Sequence, residues 1–183
     1  MGCGYPRLLE AELTARDGNC EVMNCGISGS RVVDLLARWK KDCLNLKPDV
    51  LTILIGVNDV WHELGRQNGV DAPLFEEVYR MVLRETKAAL PGTRMILMGA
   101  YVLPGTATDS QWEIFRSEVK TRRVIACMLA EEFGLDYVDL QQVFDEAQEK
   151  YPAQHWAADG VHPTAAGHWL IAQAWKKAVG IGD

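Results

Sequence analysis

A chain of 183 residues, 48% of them apolar, is long enough for one domain with a sizeable core and too apolar for disorder. Its net charge of −6, with no cluster of Lys and Arg, excludes a phosphate-dominated partner such as nucleic acid. No apolar run is long enough to span a bilayer and no signal-peptide core opens the chain; five scattered cysteines without CxxC spacing read as reduced thiols of a cytoplasmic protein.

Tyr5, Leu8, Leu9 and Leu13 recur at helical spacing and predict an amphipathic helix over 5–16, stopped by Asp17-Gly18-Asn19. A short strand is expected over 20–24. The small-residue stretch Asn24-Cys-Gly-Ile-Ser-Gly-Ser30 then opens a helix from about Arg31 to Leu46, with Ser30 as its N-cap and Val32, Leu35, Leu36, Trp39 and Cys43 as its buried stripe. Asp49 to Ile55 is almost continuously apolar, as a strand covered on both faces should be, and runs into Gly56-Val-Asn-Asp59. An exposed loop is expected around 66–72, followed by a helix marked by Phe75 to Leu90 and a buried strand from Arg94 to Tyr101. A Pro/Gly/Thr loop over 102–111 leads to a long helix ending near Phe133, with Gly134 at its C-terminal left-handed position. A short strand over 135–140, a short helix over 142–150 and a final helix over 165–179 complete the order. With no repeat and no linker, the whole of 1–183 reads as a single domain.

Strands alternating with helices predict βαβ units, and hence a parallel sheet covered by helices on both faces. Ligands of such sheets bind at the carboxyl ends of the strands. There the stretches Asn24–Ser30, Gly56–Asp59 and the late loop Ala158-Asp-Gly-Val-His-Pro-Thr164 should meet on one rim. Their residue types suit acyl transfer. His162 is a base that titrates near neutrality, and Asp159, three residues earlier, can hold its tautomer. Gly29 offers a backbone N–H at a helix start and Asn58 a side-chain amide, both suited to a developing oxyanion. Each also has a plain structural reading: Asp159 could cap the helix that follows, Asn58 could bond its own backbone, and Gly26 and Gly29 could merely allow a tight turn. Trp61 and Trp156 flank the proposed site and could stack on a sugar ring, or could equally be core residues beneath loops. His155, His162 and His168 lack the spacing of a zinc site, so no metal and no cofactor is expected.

Asn24-x-Gly-x-Ser-Gly29, Gly56-x-Asn58-Asp59 and Asp159-x-x-His162-Pro163 resemble, in order and spacing, three of the four sequence blocks of the SGNH hydrolases, also called the GDSL esterase/lipase family. The pattern around Trp61 and His168 looks most similar to the carbohydrate acetylesterase branch, including acetylxylan esterases. The resemblance implies a three-layer α/β/α, flavodoxin-like parallel sheet of strand order 2-1-3-4-5. It also implies a catalytic His162 oriented by Asp159, an oxyanion hole at Gly29 and Asn58, and a small-molecule or carbohydrate ester as substrate. The family's first block, Gly-Asp-Ser, carries the nucleophile at the end of the central first strand, and this sequence has no Gly-Asp-Ser. Ser28, Ser30 and Cys25 lie near the site but in the second block. The expectation is therefore an esterase fold missing its first central strand and its nucleophile, inactive or nearly so. The alternative is a non-catalytic carbohydrate-binding or assembly protein that kept the fold. The gap in the sheet should close by pairing of 20–24 with 49–55, or by a second copy in a homo-oligomer or strand-exchanged dimer.

Overall fold

The structure, a computed structural model, describes residues 4–181. Two helices come first, α1 (Tyr5–Arg16) and α2 (Val32–Trp39), and α2 runs on through a wider π turn at Lys40–Leu44. Then follow β1 (Val50–Leu54), α3 (Val57–Arg66), α4 (Ala72–Ala89), β2 (Arg94–Met98), a 3-10 turn at Asp109–Gln111 and α5 (Trp112–Phe133). The chain closes with β3 (Asp136–Val138), α6 (Leu140–Gln148), α7 (Ala153–Trp156) and α8 (Ala165–Val179).

The three strands are parallel, in the order β1-β2-β3, with Val50 to Leu54 opposite Arg94 to Met98 and Ile96 to Met98 opposite Asp136 to Val138. Side chains alternate between the two faces with the strand period of two. Leu51, Ile53, Met95 and Leu97 pack with Trp39 of α2, Phe75, Tyr79, Val82 and Leu83 of α4 and Leu129 of α5. Leu54, Ile96 and Met98 pack on the other face with Leu9 of α1, Phe144 of α6 and Ile171 and Trp175 of α8. The result is the expected three-layer α/β/α sandwich. Each helical layer adds a polar tie: Trp39 of α2 donates its indole N–H to Thr86 of α4 at 2.9 Å, and Trp175 of α8 donates to Thr52 of β1 at 2.8 Å. Buried indoles need such partners, because an unpaired polar group in a core is costly.

Four expectations need correction. Residues 20–24 form no strand, and no backbone hydrogen bond joins them to β1 among the described residues. A strand exists by its neighbours, and this segment has none. The outer edge of β1 therefore stays unpaired among the described residues; Val50 is 44% exposed and Leu51, Thr52 and Leu54 are half-buried. Residues for which the sequence predicts no element form α3, whose Val57, Val60, Trp61 and Leu64 make one apolar stripe against Phe115 and Val119 of α5. Ser30 does not cap α2. The Asp34 carboxylate accepts the Arg31 N–H at 2.9 Å, while the Ser30 hydroxyl accepts from the Arg38 guanidinium at 3.1 Å. Finally, the Asp159–His162 loop follows α6 and α7 rather than leaving a strand directly.

Candidate active site

The late loop is built around glycine. Gly160 has φ +90°, and a Cβ there would stand 2.3 Å from the Leu103 carbonyl oxygen. Gly105 meets it from the other side, since a Cβ on Gly105 would lie 2.4 Å from the Asp159 carbonyl carbon. The late loop and the loop after β2 thus touch backbone to backbone. Leu103 donates to the Gly160 carbonyl at 2.9 Å and Ala107 donates to that of Asp159 at 3.0 Å. The buried Tyr101 hydroxyl donates to the Val161 carbonyl at 3.0 Å. At the far end, Thr164 caps α8 by accepting the Gly167 N–H, and it donates its hydroxyl to the His155 carbonyl at 2.7 Å. These ties return the loop to the rim formed by the C-terminal ends of β1 and β2.

Within this frame Asp159 folds back on the loop. Its Oδ1 accepts the backbone N–H of Val161 at 2.9 Å and that of His162 at 2.7 Å, and its Oδ2 lies 2.6 Å from His162 Nδ1. Burial pushes the Asp159 carboxyl up, but the imidazole and the two backbone N–H bonds outweigh it and leave its pKa below the usual carboxylate range. A carboxylate fixed by two backbone donors keeps one oxygen for the imidazole, which selects the tautomer with the proton on Nδ1 and leaves Nε2 basic. The His162 side chain is 65% exposed, and its Nε2 has no hydrogen-bond partner among the described residues.

The other two stretches arrive from β1 and α2. Asn58 lies in the first turn of α3, and its Nδ2 donates to the Ser30 carbonyl at 3.2 Å, which leaves the second amide hydrogen unspent. Gly29, one residue before Ser30, has φ +79°, a backbone conformation suited to glycine, and its open face meets the His62 ring at 3.7 Å. No acceptor takes the Gly29 N–H among the described residues. Trp61, one helical turn beyond Asn58, is half-buried and sets its ring 5.5 Å from that of His162. The structure therefore brings Gly29, Asn58, Trp61, Asp159 and His162 to one rim.

Trp156 is placed differently. It is 8% exposed, packs in the core cluster with Tyr101 and Phe144, and spends its indole N–H on the Tyr151 carbonyl at 3.2 Å. The reading of the sequence left out Asp59. This carboxylate is fully buried behind Asn58, and Oδ1 accepts the Val32 N–H at 3.0 Å. No signal in the sequence marked it, because the apolar stripe Val57, Val60, Trp61 and Leu64 runs along the opposite side of α3 from Asp59. Among the described residues no group of three or more His, Cys, Asp or Glu side chains could hold a metal ion. A cavity of about 390 Å³, lined in part by Glu63, Asp71, Glu118 and Arg122, contains none of the rim residues.

The GDSL-like lipase/acylhydrolase family model matches residues 2–170. An acetylxylan esterase of Geobacillus stearothermophilus is 35% identical over 187 residues, a match that covers 98% of this chain and 82% of that protein. Among solved structures, a protein from Parabacteroides merdae ATCC 43184 described as a GDSL-like lipase aligns with a TM-score of 0.88 at 38% identity, covering 97% of this chain and 81% of that one. A catalytic mutant of the G. stearothermophilus acetylxylan esterase, with alanine in place of a serine, aligns with a TM-score of 0.86 at 31% identity, covering 98% and 82% of the two chains.

Proposed function

The chain belongs to the GDSL-like lipase/acylhydrolase family, and on that premise we propose that its rim is the acid–base and oxyanion half of a serine-type ester hydrolase acting on acetylated carbohydrate. The observation that carries this reading is the 2.6 Å Asp159–His162 bond, with the free Nε2 on the same rim as the unspent N–H groups of Gly29 and Asn58. In the proposed reaction His162 Nε2 takes the proton of an attacking hydroxyl. Asp159 stabilises the imidazolium that forms. The negative charge growing on the ester oxygen is received by the Gly29 N–H and the Asn58 amide, each worth roughly 3 kcal/mol in such sites. The imidazolium then protonates the departing sugar oxygen, and water repeats the sequence on the acyl-enzyme.

Two features support a carbohydrate ester. The matched relative is an acetylxylan esterase, and the half-buried Trp61 beside His162 offers a ring face on which a sugar can stack. Trp156, packed beneath the loop, supports the loop from below in this reading.

The hydroxyl itself is the missing part. The sequence contains Ser28, Ser30, Ser110 and Ser117 and no Gly-Asp-Ser, and the Ser30 hydroxyl is held by Arg38. As it stands the chain is proposed to hydrolyse esters weakly or not at all. The test is hydrolysis of p-nitrophenyl acetate and of acetylated xylooligosaccharides by this chain, beside the same chain extended at its N-terminus by a strand ending in Gly-Asp-Ser. Activity in the extended chain alone supports the reading. Strong activity in the short chain, abolished by Ser28→Ala, overturns it. An extended chain that binds the oligosaccharide without cleaving it favours a carbohydrate-binding protein.

A further inference from the structure

We propose that Asp59 is a positioning residue that locks the two oxyanion-donor segments together, fixing Gly29 against Asn58. The inference rests on the oxyanion reading above and adds the device that would hold that hole in shape.

Two bonds tie the first turn of α3 to the entry of α2. One is Asn58 Nδ2 to the Ser30 carbonyl at 3.2 Å; the other, fully buried, is the Val32 N–H to Asp59 Oδ1 at 3.0 Å. The first depends on a partly exposed amide that substrate also needs, so the second is the anchor that remains when Asn58 turns to a ligand. Asp59 is itself pinned by its backbone. Its carbonyl accepts the Val70 N–H at 3.0 Å, and a Cβ on Gly69 would stand 2.3 Å from that same oxygen. On the preceding side Gly56 has φ +128°, and a Cβ there would meet Arg122 Cβ at 3.2 Å and Ala100 Cβ at 3.3 Å. The carboxylate is thus held from β1, from the loop before α4 and from α5, and it passes that fixed position to Val32, three residues after Gly29. A buried carboxylate is a costly way to accept one N–H, and Oδ2 has no partner. Burial pushes the carboxyl up to about 6 against the Val32 and Asp59 backbone N–H groups and the charges of Arg122 and Arg31. Protonation near that pH weakens Asp59 as an acceptor, so the lock has a measurable signature.

The experiment follows backbone and side-chain amides by ¹H–¹⁵N NMR between pH 4.5 and 8, with hydrogen exchange, in the wild type, Asp59→Asn and Asp59→Ala. In the wild type the Val32 amide titrates near pH 6, and the Gly29 amide and Asn58 side-chain signals share that midpoint. The His62 ring also lies against Gly29, so the readout is the difference between variants, and Asp59→Asn removes only the component that belongs to Asp59. Asp59→Asn keeps Val32 protected, since an amide oxygen still accepts. Asp59→Ala lowers Val32 protection at least tenfold and shifts Gly29 and Asn58, while Ile96 and Leu97 of β2 keep theirs. The proposal is overturned if Gly29 and Asn58 titrate identically in Asp59→Asn and the wild type, a comparison that holds even if Asp59→Ala fails to fold. It is also overturned if a folded Asp59→Ala leaves Val32 protected. The oxyanion reading fails separately, if Asn58→Ala in an active extended chain hydrolyses ester at the unsubstituted rate.

Discussion

Replacing Gly160 by alanine tests the idea that the Asp159–His162 loop is held by backbone contact. The added Cβ would sit 2.3 Å from the Leu103 carbonyl oxygen and 2.7 Å from the Thr108 hydroxyl, so one loop must retreat by roughly 1 Å to restore ordinary contact. That retreat breaks or stretches the two backbone bonds between the loops, Leu103 N–H to the Gly160 carbonyl at 2.9 Å and Ala107 N–H to the Asp159 carbonyl at 3.0 Å. Each is worth about 1 kcal/mol net. The positive φ adds about 1–2 kcal/mol for any residue with a side chain. The total is about 3–4 kcal/mol, which for a domain of this size lowers Tm by about 6–16 °C. Gly134→Ala separates the two contributions, because Gly134 also has a positive φ, +63°, yet nothing lies within 4 Å of its would-be Cβ. It should lose only the strain, about 1–2 kcal/mol. Thermal melts of both variants decide, read beside the low-field proton signal of His162 Nδ1–H, which should weaken in Gly160→Ala alone. A fall in Tm no larger for Gly160→Ala than for Gly134→Ala would refute the reasoning.

Asp159→Asn keeps an oxygen for the Val161 and His162 N–H groups but sets an amide N–H against Nδ1, favouring the wrong imidazole tautomer; in an active extended chain kcat should fall by about 10⁴, as measured by ester hydrolysis. Asp59 shapes stability in the opposite sense to a paired surface carboxylate. Its pKa is raised on folding to about 6, so it favours the fold below pH 4 and loses that contribution as pH rises to 6 and beyond. In urea melts, Asp59→Asn should therefore gain on the wild type between pH 4 and pH 7, by on the order of 3 kcal/mol. The outer edge of β1, unpaired among the described residues, is a template for self-association. Val50→Lys, at a 44% exposed position on that edge, should shift any dimer toward monomer in light scattering.

How much of this was legible depends on what each element needs from elsewhere in the chain. Helices α1, α4, α5 and α8 carry their periodicity locally, and α8 begins and ends where its pattern does, between Thr164 and Gly180. Strands β1 and β2 are readable because both faces are buried, which writes a continuous apolar run. Residues 20–24 show why such reading stops short: Cys-Glu-Val-Met-Asn has strand-like composition, but a strand requires a neighbour to accept its hydrogen bonds, and composition says nothing about that. The helix α3 was hidden by Gly56 and by the turn-forming Asn58 and Asp59, although Val57, Val60, Trp61 and Leu64 already stood at i, i+3, i+4 and i+7. In the site, the Asp159–His162 pair was legible because three residues of one loop make it. The division between Trp61 and Trp156 was not, since it depends on which tryptophan the core of α6 and α8 absorbs.

The same distinction explains why the rim is well formed in a sequence that holds no Gly-Asp-Ser. Asp159 and His162 are fixed by their own loop and by the backbone of residues 103–107. Asn58 and Gly29 are fixed by α3 and α2 through the Ser30 and Val32 contacts. None of these ties runs through the outer edge of β1. A parallel strand added there would run toward the Gly56–Asn58 turn. A nucleophile carried on that strand would thus meet a base and oxyanion donors already in position. Restored hydrolysis would then need the strand and its serine, with no rearrangement of Asp159, His162, Gly29 or Asn58.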